Sequence, residues 1–214
     1  YLRRPLVRRG DTLTWGRRSL IQSVRYLCDL VTSGRIKSPK SKEMEKLNGT
    51  LANRRGKQYD RELASKLSAL SGYSARSSMT EFNGKRMKRA DGNPIGDIDV
   101  FVLDANTRTI IPIEAKAFTL AKTPSEVKNE FDALFTDTED EMCSVSHHLE
   151  RVAWLHSNLE DVLSEFGVDP READNWTIEP LLVLDSDLLS RHLTAPPFPV
   201  MTEKELMQFL TSRV

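Results

Sequence analysis

Three acids and a lysine stand in runs otherwise rich in Val, Ile and Phe: Asp97 and Asp99 in Gly96-Asp97-Ile98-Asp99-Val100, and Glu114 and Lys116 in Ile113-Glu114-Ala115-Lys116. Side chains alternate faces along a strand, so Asp97 and Asp99 share one face of the first run, and Glu114 and Lys116 share one face of the second. Pairing the two strands brings carboxylates and an ammonium together. Carboxylates gathered at the end of a sheet need a compensating charge, which a divalent metal with oxygen ligands supplies.

The surrounding sequence predicts the elements that position these groups. Asp104 to Thr107 is a polar turn joining the two strands. The turn-rich segment Asn83 to Pro94, with Lys85, Arg86, Lys88 and Arg89, forms a basic loop just before the first strand. Upstream, Gly56-Lys57-Gln58-Tyr59-Asp60 opens a helix with Tyr59, Leu63, Leu67 and Leu70 on one stripe and Gly72 at its end. Asp60 falls in its predicted first turn, where compensation of the helix dipole would explain an acid without any function. Tyr73 to Thr80 is a weakly patterned strand. Thr123-Pro124-Ser125-Glu126 is a capping box that starts a helix running to Phe135. Ser144 to Phe166 reads as one long helix with a stripe of Val145, Leu149, Val152, Leu155, Leu159 and Val162, closed by Gly167. His148 and Arg151 share a flank of that stripe, where a structural role is the plainer reading. A buried strand follows in Trp176 to Ser186, and a last helix, Thr202 to Leu210, is capped by Thr202 and Glu205.

Charge divides the chain. Residues 1–57 carry 15 Lys and Arg against 4 acids, whereas residues 58–214 carry 16 against 27. The basic segment comprises an aperiodic stretch with Arg3, Arg4, Arg8, Arg9 and Trp15, a helix over 17–33 with Leu20, Val24, Leu27, Cys28 and Val31 on one side, and a linker-like stretch over 34–56 with Lys37, Lys40, Lys42 and Lys46. This predicts a basic helical arm, or the end of an upstream domain, over 1–50, and a second domain over 51–214. The basic charge suits phosphate binding and docking on the acidic remainder equally well. With 39% apolar residues, no apolar run of membrane-spanning length and no visible signal peptide, the composition predicts a soluble chain with no membrane association. Cys28 and Cys143 match no metal or redox spacing, which fits the reducing cytoplasm.

The order helix, strand, strand pair, helix, strand, together with Gly96-Asp97-Ile98-Asp99-Val100 and Ile113-Glu114-Ala115-Lys116, resembles the PD-(D/E)XK nuclease superfamily over roughly residues 56–184. The resemblance implies a restriction-endonuclease-like α/β fold, an αβββαβ core with a mixed central sheet flanked by helices. It implies that Asp99 and Glu114 hold Mg²⁺ (or Mn²⁺), with Asp97 the alternative ligand on the same face, and that Lys116 positions the attacking water. Gly56-Lys57-Gln58-Tyr59-Asp60 is similar to the family's helix motif and adds Asp60 to the metal and catalytic set. Ile98 stands where the family name has Pro. A second acid-x-Lys triplet, Glu126-Val127-Lys128, falls on a predicted helix, where residues i and i+2 point apart and cannot serve one metal.

The reading is a metal-dependent nuclease with DNA as its expected substrate, and with Arg54, Arg55, Lys57, Lys85, Arg86, Lys88 and Arg89 as phosphate contacts. An upstream domain or partner protein fits the basic arm. The competing readings are a catalytically silent nuclease-like module that binds nucleic acid or a protein, a metal-free domain whose acidic core binds its own arm, and an ordinary edge-strand charge cluster.

Overall fold

The computed structural model describes residues 5–34, 36, 39–118, 120–121, 123–139 and 141–213, so Arg3, Arg4 and Lys37 of the basic segment lie outside the described residues. Two compact units divide the chain, Tyr1–Gly56 and Lys57–Val214.

In the first unit, β1 (Leu6–Arg9) pairs antiparallel with β2 (Thr12–Trp15), so the stretch that lacks periodicity in the sequence is an exposed hairpin. Helix α1 (Arg17–Thr32) forms where the apolar spacing predicts it, yet buries only Ser23 and Tyr26; Val24, Leu27, Cys28 and Val31 are exposed. The expected linker is helical from Lys42 onward: α2 (Lys42–Ser68) is 27 residues long and carries the division between the units. Polar residues read as linker are capping groups. Ser41 Oγ accepts from Met44 N at 3.2 Å, and the Asn48 amide brackets Ile36, accepting from its N at 3.0 Å and donating to its O at 3.2 Å. Lys, Glu, Leu, Ala, Gln and Arg then dominate the sequence to residue 58, all good helix formers.

In the second unit a sheet of order β10-β9-β7-β6-β3 is built from β3 (Tyr73–Met79), β6 (Ile98–Asp104), β7 (Thr109–Lys116), β9 (Leu181–Leu184) and β10 (Val200–Thr202). The β3–β6 and β6–β7 pairs are antiparallel, while β7–β9 and β9–β10 are parallel. A short strand, β8 (Thr177–Ile178), pairs parallel with the start of β7; Pro180, which has no N–H to donate, separates it from β9 and divides the single strand expected over 176–186. Within the basic loop, β4 (Glu81–Phe82) and β5 (Lys85–Arg86) form a hairpin whose turn residues, Asn83 and Gly84, both have positive φ.

Residues 57–68 of α2 and helix α6 (Glu203–Thr211) cover one face, packing Tyr59, Leu63, Leu206 and Leu210 on Val100, Val102, Ile113 and Val183. Helix α3 (Pro124–Phe135), α4 (Ser144–Ser157) and α5 (Leu159–Glu165) cover the other. This is the expected αβββαβ order, a mixed sheet flanked by helices. The helix predicted over 144–166 is two helices, broken at Asn158, whose Nδ2 donates to Trp154 O at 2.7 Å.

The β6–β7 turn is held by Asp104, buried to 1% exposure: Oδ1 accepts from Asn106 N at 3.0 Å and Thr107 N at 3.3 Å, and Oδ2 from Thr107 Oγ1 at 2.7 Å. Replacing Asp104 with Ala is expected to destabilise the fold by roughly 1–3 kcal/mol, the scale of lost hydrogen bonds to a charged group. Urea denaturation checks this, and an unchanged midpoint would show that the turn sequence alone holds the strand register.

Candidate active site

Register places the acids. Strands β6 and β7 pair antiparallel from Asp104–Thr109 to Val100–Ile113, and just beyond that last pair Ala115 N donates to Asp99 Oδ2 at 2.9 Å. On β7, Glu114 Oε1 lies 2.6 Å from Lys116 Nζ, which stands 3.5 Å from Asp99 Oδ2. Asp99, Glu114 and Lys116 therefore form one cluster. Asp97, outside β6, pairs with Lys57 Nζ at 3.2 Å, and it too raises the pKa of Asp60, though less than Asp99 does.

Asp60 joins it from α2. Because the helix begins at Lys42, Asp60 lies well inside it, and dipole compensation in a first turn no longer explains the acid. It is 5% exposed, and its Oδ1 is buried without a hydrogen-bond partner among the described residues. Burial, then repulsion from Asp99, pushes its pKa up to about 7 against the pull of Lys116. Asp99 is likewise raised to about 6, by burial and then by Glu114.

Glu114 behaves oppositely. Burial would raise its pKa, but Lys116 and then Arg151 hold it below the ordinary value. Arg151 Nη1 donates to Glu114 Oε2, and His148 Nδ1 stands 4.0 Å from the same oxygen while its Nε2 contacts Pro112 O at 3.2 Å. Burial drives His148 down to about 4, which leaves it neutral at neutral pH. Sequence spacing set His148 and Arg151 on the flank of an apolar stripe. In the structure both are buried while Leu149 of the predicted stripe is 41% exposed. The signal was the i, i+3 spacing from Val145 through His148 to Arg151, which is also helical.

Among the described residues, no group of three or more His, Cys, Asp and Glu is already gathered as a metal site. The donor set nevertheless fits a hard cation. Asp60 is buried and Asp99 mostly so, Asp99 raises the pKa of Asp60, and Asp60 Oδ1 has no hydrogen-bond partner among the described residues. Glu114 can join them by exchanging one of its two cations. A cleft of about 480 Å³ opens over Glu114, Lys116 and Arg151, walled by Phe118, Thr136 and His147.

The expected phosphate contacts divide. Lys85 pairs with Asp161 at 3.0 Å, and Arg89 forks onto Glu150 at 2.6 and 2.7 Å. Arg86 and Lys88 are exposed and make no ion pair among the described residues. Arg54 and Arg55 lie on α2 in the first unit. In the E-x-K triplet outside the cluster, Lys128 pairs with Asp132 on the surface of α3.

The model of the family described as "Anti-phage protein Upx-like" matches residues 12–178. Among solved structures, the small subunit (R.BspD6I2) of the heterodimeric restriction endonuclease R.BspD6I is similar, at 17% identity over 73% of this chain and 68% of that one, with a TM-score of 0.29. No curated protein matches. No helix among the described residues is long and apolar enough to cross a membrane.

Because its pKa is raised on folding, Asp60 favours the protonated folded state, and its contribution to stability is lost as pH rises from the unfolded value near 4 through about 7. In EDTA, Asp60→Asn should therefore match the native chain near pH 4 and exceed its Tm above pH 7, each kcal/mol appearing as about 2–4 °C. Thermal unfolding across that range checks this; a difference independent of pH would mean that Asp60 is not the buried, repelled carboxylate.

Proposed function

The chain belongs to the Upx-like family of anti-phage proteins, and we propose that it acts there as a metal-dependent nuclease that hydrolyses phosphodiester bonds, with DNA as the favoured substrate. The observation that carries this reading is the convergence of Asp60, Asp99, Glu114 and Lys116, drawn from α2, β6 and β7, at one end of the sheet, with Glu114 and Lys116 in the floor of the cleft.

Asp60 and Asp99, with Glu114, would hold Mg²⁺ or Mn²⁺. A cation bound there would neutralise the phosphodiester and lower the pKa of a coordinated water. Lys116 supplies what the carboxylates cannot. Burial favours its neutral amine, but Glu114 and then Asp99 outweigh burial and hold it as an ammonium. Its side chain is 31% exposed and lines the cleft, so it can donate to the attacking water or to the charge developing on phosphate oxygens. Arg86 and Lys88, exposed and unpaired among the described residues, are proposed as phosphate contacts that carry no sequence information.

A second reading has an observation of its own. Both Glu114 oxygens are already engaged, by Lys116 and Arg151, which is what a silent nuclease-like module that binds nucleic acid or a partner protein would also show. Cleavage separates the two. Circular and linear, single- and double-stranded DNA and RNA are incubated with Mg²⁺, Mn²⁺ or EDTA. Metal-dependent cleavage is expected, and Glu114→Gln and Lys116→Ala should each reduce it by about 10²-fold or more. The double substitution Glu126→Ala with Lys128→Ala should leave it unchanged. If neither metal supports cleavage of any substrate, the silent-module reading stands.

A further inference from the structure

Arg151 is buried but poorly satisfied. A guanidinium carries five N–H donors in a rigid fork, yet only Nη1 has an acceptor among the described residues, Glu114 Oε2; Nε is buried without one. Its third nitrogen, Nη2, lies against Gly96, whose φ is 100° and where a Cβ would stand 3.0 Å from it. The chain thus omits a side chain at residue 96 where it would meet the guanidinium. The side chain is 11% exposed and lines the same cleft as Lys116. A charged, buried fork with unused donors, on a side chain that lines an open cleft, matches an oxyanion that binds a guanidinium through two of its oxygens.

Building on the nuclease reading, we propose that Arg151 is a phosphodiester-binding residue of the cleft, held on Glu114 in the cation-free protein and released when that carboxylate takes a divalent cation. Glu114 Oε2 is then contested. While Arg151 occupies it, the carboxylate is compensated and the buried cluster is stable without metal. When Glu114 turns to a cation, the guanidinium keeps its charge, loses its acceptor and presents its donors to the cleft. Phosphate binding there disfavours return to Glu114. Cation and nucleic acid therefore strengthen one another's binding, and by linkage the two effects are equal.

The test uses the whole chain and two measurements that do not depend on cleavage. Calorimetry gives Mn²⁺ affinity without nucleic acid, and anisotropy of a fluorescein-labelled DNA oligonucleotide is measured in Ca²⁺ and in EDTA. For the native chain Ca²⁺ should tighten DNA binding by about 5-fold or more. Arg151→Met removes the competitor for Glu114. It should bind Mn²⁺ about 10-fold more tightly, show a larger Mn²⁺-induced rise in Tm than the native chain, and lose most of the Ca²⁺-dependent gain in DNA affinity. Arg151→Lys preserves the charge but not the fork, should lose most of that gain as well, and decides the matter if the Met variant does not fold. Weaker Mn²⁺ binding in Arg151→Met would make Arg151 a support that orients Glu114, and an undiminished Ca²⁺ gain in either variant would remove it from phosphate binding; each overturns the proposal. A native chain that binds no Mn²⁺ at all would instead overturn the nuclease reading on which the proposal rests.

Discussion

An ionised carboxylate at 3% exposure on the central strand is the constraint that the rest of this site answers to. Without partners Glu114 would protonate or force the strand open, since burial of an uncompensated charge is among the largest penalties a fold can meet. Lys116 and Arg151 resolve this from two directions, one from the same strand and one from α4. Several local features follow. Helix α4 must turn Arg151 and His148 inward, which leaves Leu149 at the surface. Pro112, in the middle of β7, offers a carbonyl to His148. Gly96, at a φ of 100° that favours glycine, lies against the guanidinium. His148 contributes shape rather than charge, because burial keeps it neutral above about pH 4.

The strands and their acids were legible in the sequence because both depend on local alternation. Val100, Val102, Ile111 and Ile113 announce one buried face, and Asp99, Glu114 and Lys116 interrupt the other. Capping residues fixed the starts of α3 and α6, where Thr123 and Thr202 accept from the N–H three residues on. Three features were not legible. The stretch over 34–56 looks like a linker because Ser, Pro, Asn and Gly are frequent there, yet from Lys42 onward Lys, Glu, Leu and Ala carry a helix through it. That misplaced helix start is also what made Asp60 look like a dipole-compensating acid. The pairing of Arg151 with Glu114 joins residues 37 positions apart in the chain, and no period within either segment encodes it. Nor does amphipathicity say what covers an apolar stripe, as the exposed Val24, Leu27 and Val31 of α1 demonstrate.

Stability alone is a poor reason for a cluster of this kind. Replacing a buried ion pair with well-packed apolar residues is often neutral or stabilising, whereas removing one partner is strongly destabilising. A sheet whose neighbouring positions are filled by Ile, Val and Leu has an apolar solution at hand. The cluster therefore calls for an explanation in chemistry, and the raised pKa values of Asp60 and Asp99 mark where a compensating positive charge is missing.

The basic loop is tied to the helices of the second unit by part of its charge. Lys85 and Arg89 tie the β4–β5 hairpin and the residues after it to Asp161 and Glu150 on the helices that flank the site. Lys85 is about half exposed in its pair, and such surface pairs add little to stability. Arg89 differs, because its fork meets both oxygens of Glu150, a bidentate pair stronger than the single contact of Lys85. The four cations thus differ in what holds them: Arg89 braces α4, the helix that delivers Arg151 to Glu114, Lys85 makes a single surface pair, and Arg86 and Lys88 are exposed with no ion pair among the described residues.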